Sequence, residues 1–171
     1  MRQIGSIALI ATLFLGVLAP AGPARAADYS GYFPPPLSAW TAGAVEAKQT
    51  SATLGGASYA RTRLSRLYSG PGGARVAMTV DTLDCVRAAA VERAQSDASV
   101  LGKFGEPMRL YGYGSRQALA AGRSGDAVDR IVLRVAECGI VAIGGAQTNE
   151  QILRQYLDRT PFARIEQLAA E

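Results

Sequence analysis

The chain has 171 residues, 18 basic against 14 acidic side chains, a formal net charge of +4, two cysteines and no histidine. The missing imidazole excludes Ser-His-Asp and Cys-His nucleophile systems, and two cysteines alone leave tetrahedral zinc short of ligands. There is no CxxC, no GxGxxG and no Gly-Lys-Ser/Thr triplet, so neither thioredoxin-type redox chemistry nor a phosphate-cradling loop is expected, and no cofactor is implied.

Residues 1–26 have the parts of a cleavable signal peptide. Arg2 supplies the positive start, and Ile4 to Leu18 is an uncharged apolar run. Pro20, Gly22 and Pro23 break it, and Ala24 and Ala26 place small residues at the cleavage site. Two prolines and a glycine so close to the run argue against a retained spanning helix. Cleavage after Ala26 leaves 145 of the 171 residues, a size typical of one domain. Arg2 and Arg25 depart with the signal, so 16 basic residues then face 14 acidic ones. That surplus is too small to suggest nucleic-acid or membrane-surface binding. The expected compartment is the periplasm or the exterior, with no stable membrane span after processing.

Residues 27–39 read as an extended aromatic and proline arm, with Tyr29, Tyr32 and Phe33 ahead of Pro34, Pro35 and Pro36. Such an arm wraps back onto its own domain by default. The alternative is a partner ligand, with Tyr32 and Phe33 as the contact residues. Residues 40–171 then form one domain. Trp40 to Lys48 is strand-like. Ala57 to Tyr68 and Arg75 to Asp81 flank the turn signal Ser69-Gly70-Pro71-Gly72-Gly73 and read as a hairpin. Val76, Met78 and Val80 define a buried face. The preferred pairing adds Ala60, Thr62 and Leu64 to that face, turns Arg61 and Arg63 away, and sets Arg61 opposite Asp81.

Thr82 to Leu101 is expected to be helical, with Leu83, Val86, Ala90 and Ala94 as the inner face and Gly102 and Gly105 as the stop. Short strands follow at Pro107 to Tyr113 and Arg116 to Ala121, then a turn at Ser124 to Asp126. Two β-rich runs, Ala127 to Glu137 and Gly139 to Ile143, meet at Cys138. Thr148 to Gln151 reads as a capping box for a helix with Ile152, Leu153, Tyr156 and Leu157 inward. Thr160-Pro161 caps a second short helix whose Phe162, Ile165 and Leu168 face the core. Strands, one helix, strands and helices make an α+β pattern with a mainly antiparallel sheet.

Cys85 and Cys138, in an oxidising compartment, are expected to form a disulfide, with two buried thiols as the alternative. Asp81 with Asp84, and Asp126 with Asp129, are pairs that acid–base work could use. Their positions at a helix start and in a turn give each a structural role instead. Arg61, Arg63 and Arg66 could bind an acidic partner, or form a solvated strand face with cross-strand ion pairs. Tyr111, Tyr113 and Trp40 fit core or edge positions.

The aromatic arm, Leu37-Ser38-Ala39-Trp40, the Tyr68 to Gly73 turn feeding Val76 to Asp81, the alanine-rich helix, four short strands and the two terminal helices occur in a recognisable order. In that order the chain resembles uncharacterised exported proteobacterial proteins with a PsbP/Mog1-like α/β/α sandwich. The resemblance implies six or seven antiparallel strands covered by helices, and a binding or assembly role without catalytic residues. The expected function is a non-enzymatic periplasmic module for an envelope protein partner. A small-ligand carrier with a pocket between sheet and helix, and a carboxylate-based hydrolase or lyase, are the alternatives.

Overall fold

Alternating apolar and polar residues mark most of the strands, and in a computed structural model they pair into a single sheet. The structure describes residues 28–54, 57–97, 99, 101, 108–122 and 128–170. The expected signal peptide, the Gly102 to Gly105 stop and the Ser124 to Asp126 turn lie outside them. In chain order the elements are β1 (Thr41–Leu54), β2 (Ala57–Ser69), β3 (Arg75–Asp81), α1 (Cys85–Ala94), β4 (Met108–Tyr113), β5 (Arg116–Ala121), β6 (Arg130–Arg134), β7 (Ile140–Ala146), α2 (Glu150–Asp158) and α3 (Phe162–Ala170). The seven strands lie in the order β1-β2-β3-β7-β6-β5-β4, every neighbouring pair antiparallel. An α+β fold built on an antiparallel sheet is thus observed.

The two faces of the sheet are filled differently. The first face carries Leu64, Tyr68, Val76, Met78, Val80, Ile131, Leu133, Val141 and Ile143, all buried against Leu153, Tyr156 and Leu157 of α2 and Ile165 of α3. The arm completes this layer. Phe33 and Leu37 are buried there, the Tyr68 hydroxyl donates to the Pro34 carbonyl at 2.8 Å, and Arg164 donates to the Gly31 carbonyl at 3.1 Å. Among the described residues α1 alone covers the second face, its Ala88, Val91 and Ala94 packing on Met108, Leu119, Ala121, Val132 and Ile140. Alanines let that helix sit close to the strands but bury little area per residue.

Four local expectations are corrected. Arg63, not Arg61, stands across from Asp81, because the ladder begins at Ser69 opposite Arg75, after a turn closed by Gly70 N–H to the Ala74 carbonyl. The shift is two residues, so the face that each side chain occupies is unchanged. The α1 helix is shorter than its alanine content suggests and ends at Ala94. Val86, expected inward, is 81% exposed, whereas Ala90 and Ala94, also expected inward, are buried with Ala88 and Val91. Asn149, not Thr148, caps α2: its side chain accepts from Ile152 N–H at 3.1 Å, whereas Thr148 Oγ1 is buried with no hydrogen-bond partner. The Thr160 hydroxyl turns back to the Tyr156 carbonyl at 2.9 Å rather than forward into α3.

Candidate functional site

The second face holds an open groove of about 1200 Å³ beside α1. Its position follows from where α1 lies. That helix packs over β5 and β6, so among the described residues no helix lies above the same face of β2, β3 and β7. Ladder pairing lines up Leu67, Ala77 and Gly144 in one row and Ser65, Thr79 and Ala142 in the next. Leu67, Ala77, Thr79, Ala142 and Gly144 all line the groove. An exposed sheet face ordinarily carries long polar or β-branched side chains, and alanine and glycine are poor strand formers. Here small residues leave a hollow. A Cβ added at Gly144 would meet nothing closer than 3.6 Å, so close packing does not demand that glycine.

The walls are basic. Arg75 stands at the start of β3, Arg130 at the start of β6, and Arg87 and Arg93 on the flank of α1, against one carboxylate, Asp129, among the described lining residues. The groove flank of α1 also presents Val86, which is 81% exposed, and Arg93, on either side of the largely buried Ala90.

A cluster of charges holds the entrance of α1. Asp81, with its side chain only 7% exposed, accepts from Arg61 Nε at 2.9 Å and Nη2 at 2.6 Å, from Arg63 Nε at 2.8 Å, and from Leu83 N–H at 3.2 Å. Burial alone would raise this carboxyl. The two guanidinium groups and the backbone donor outweigh it and hold Asp81 below the usual carboxylate range. Asp84 caps α1 by accepting from Arg87 N–H at 3.2 Å and lies 3.8 Å from both Arg61 and Arg87. The chain of charges therefore runs from Arg61 through Asp84 to the groove wall at Arg87. Beside it, a disulfide joins Cys85, the first residue of α1, to Cys138 in the turn before β7, across a sequence separation of 53. Asp84 N–H donates to the Cys138 carbonyl at 2.8 Å, fixing the same junction a second time.

The residues singled out from sequence divide between the two faces. Arg61, Arg63, Cys85 and Cys138 meet at the head of α1. Tyr32 and Phe33 lie on the opposite face, Phe33 in the core and Tyr32 packed partly against it under Arg164. Asp81 and Asp84 are engaged by arginines and by the cap, and Asp126 lies outside the described residues. Tyr111 and Tyr113 pack on the first face and donate to Glu150 at 2.6 Å and Asp158 at 2.9 Å. No group of three or more Cys, Asp or Glu placed to hold a metal occurs among the described residues, and none of their helices is long and apolar enough to cross a membrane. The groove's floor was missed in the sequence. Its signal was there in the outward positions of β3 and β7, where Ala77, Ala142 and Gly144 alternate with large buried residues.

Comparison with protein-family models, curated proteins and solved structures found no match.

Proposed function

We propose that this chain is a non-enzymatic binding or assembly module of the cell envelope and that the groove beside α1 is where it binds. One observation carries the reading: β3 and β7 present a floor of alanine, glycine and threonine, bordered by the exposed Leu67 of β2, that nothing in the described chain covers, walled by arginines. Burying small apolar side chains against a partner is favourable at about 25 cal/mol per Å², and arginine is suited to pairing with carboxylates at an interface. The disulfide fits an exported protein, since such bonds persist in oxidising compartments. The seven antiparallel strands between one helix and two are consistent with the PsbP/Mog1-like kinship, which belongs to the same proposal.

The test is a paired recovery from periplasmic extract, using the protein and an Ala77→Trp variant that fills the groove. A partner retained by the first and lost by the second supports the reading; equal recovery by both rejects the groove. Mass spectrometry of the exported protein checks the compartment, with Ala27 expected as the first residue. The groove's volume also favours a second reading, a small-ligand carrier. Native mass spectrometry after gentle purification would then show added mass that Ala77→Trp abolishes.

A further inference from the structure

The groove's dimensions, floor and charge restrict what can lie in it. Neighbouring strands are about 4.8 Å apart, so the strip from β2 across β3 to β7 is roughly 10 Å wide, the width of one α-helix with its side chains. α1 already occupies the adjoining strip over β5 and β6. Helices that share a sheet face pack side by side at about 8–10 Å, which places a second helix over β3. On the flank that would meet it, α1 shows Val86 and Arg93, with Ala90 largely buried between them. Val86 is 81% exposed and belongs to neither buried cluster of the described residues.

The opposite face shows how this sheet receives helices. There, large strand residues such as Met78 and Ile143 meet Leu153, Leu157 and Ile165. On the groove side β3 and β7 offer Ala77, Thr79, Ala142 and Gly144, with Leu67 of β2 as the one large residue at the edge of that floor, so most of the large side chains have to come from the occupant. Its charge is set by the walls. Arg75 lies on the β3 side, Arg87 and Arg93 on the α1 side, and Asp129 is the one carboxylate among the described lining residues. Arg87 has an ion pair with Asp84 at 3.8 Å, and Arg93 donates back to the Ala89 carbonyl at 3.3 Å. Neither arrangement uses up a guanidinium's five donors.

We infer that the groove receives an amphipathic helix of a partner protein, with large apolar residues on the Ala77, Ala142 and Gly144 floor and Asp or Glu along both flanks. This rests on the groove being a binding site. The helix would lie beside α1, its acidic flanks facing Arg75 on one side and Arg87 and Arg93 on the other. It is the helix-in-groove mode, in which anchors at i, i+3, i+4 and i+7 supply affinity and flanking charges supply orientation.

A phage-displayed library of helical peptides of about four turns, with a fixed leucine stripe and randomised flanks, tests this against the purified protein. Binders are expected to gather Asp and Glu on both flanks. Ala77→Trp should weaken them by about tenfold or more, and an Arg75→Glu, Arg93→Glu double variant should shift selection towards Lys and Arg. All three positions are exposed, so the variants should fold, which a thermal melt checks. Binders without acidic flanks, or acidic binders indifferent to Ala77→Trp, overturn the proposal. Dodecanoate titrated into ¹⁵N-labelled protein separates the two readings. Shifts at Ala77 and Ala142 without peptide selection keep the groove as a site and reject the helical occupant. No response to either probe rejects both.

Discussion

Arg63 lies directly across the β2–β3 ladder from Asp81, its Nη2 2.7 Å from the carboxylate, and that carboxylate is shared with Arg61 one side-chain step along the same face. One buried acid therefore ties together the part of β2 that extends beyond β3, the end of β3 and the entry to α1. Replacing Asp81 with Asn keeps the shape but removes the charge that both arginines answer. Stability should fall by about 2 kcal/mol, in the range for hydrogen bonds to charged groups. Urea unfolding measures it, and an unchanged midpoint would mean that water serves the arginines equally well.

The same group sets the acid limb of stability. Its folded pKa is depressed, so the unfolded chain binds the proton more readily. The stabilisation is fully present above the ordinary aspartate value of about 3.9 and is lost as pH falls through the lower folded value. A plot of unfolding free energy against pH should drop below about pH 4, and Asp81→Asn should flatten that drop.

At the alkaline end the tyrosines act in the opposite direction. Burial raises Tyr68 to about 12, and burial together with the bond to Glu150 raises Tyr111 to about 12. Tyr113 is raised too, by burial first and then by Asp158. Raised folded values contribute stability that is complete below about pH 10 and lost as pH climbs through 12. Tyrosinate absorbance should show these rings ionising late, with the fold weakening in step. Their ionisation near pH 10 in an intact fold would contradict the burial described above.

The start of α2 allows a choice between two caps. Asn149→Ala should cost about 1 kcal/mol, the usual worth of an N-cap side chain. Thr148→Val should be neutral or stabilising, because the hydroxyl it removes is buried without a partner. The reverse pattern in thermal melts would restore the capping box to Thr148.

Much of this architecture was legible because burial imposes a period on the chain. Val76, Met78 and Val80 announce β3, Ile131, Leu133 and Val135 announce β6, and Leu153, Tyr156 and Leu157 announce α2. Parity along β2 was equally legible, since exchanging faces would bury Arg63. The two-residue step was not, because a shift of two leaves every face the same, and only the loop's own geometry fixes it. The inner face of α1 was hidden for a related reason. Alanines carry little periodic contrast, and Leu83, which set the reading, precedes the helix. The groove is a relation between what α1 covers and what it leaves open, and no local pattern encodes that.

Reduction of Cys85–Cys138 should lower stability by about 4 kcal/mol in the chain-entropy account of a loop this long. A Cys85→Ser, Cys138→Ser variant under denaturant measures it. A loss below about 1 kcal/mol would show that the charge cluster at Asp81 holds the head of α1 unaided.

The strand order has a consequence for how the chain assembles. β1 to β3 zip up as one meander and β4 to β7 as another, each from sequence-local pairings, and a single seam between β3 and β7 joins them. That seam is the long-range step, and pairings of this kind are slow because the intervening loop has to be closed first. Cys85 follows one side of the seam and Cys138 precedes the other. Once oxidised, the two halves stay tethered even when unzipped, so the oxidised chain should refold from denaturant faster than the reduced one.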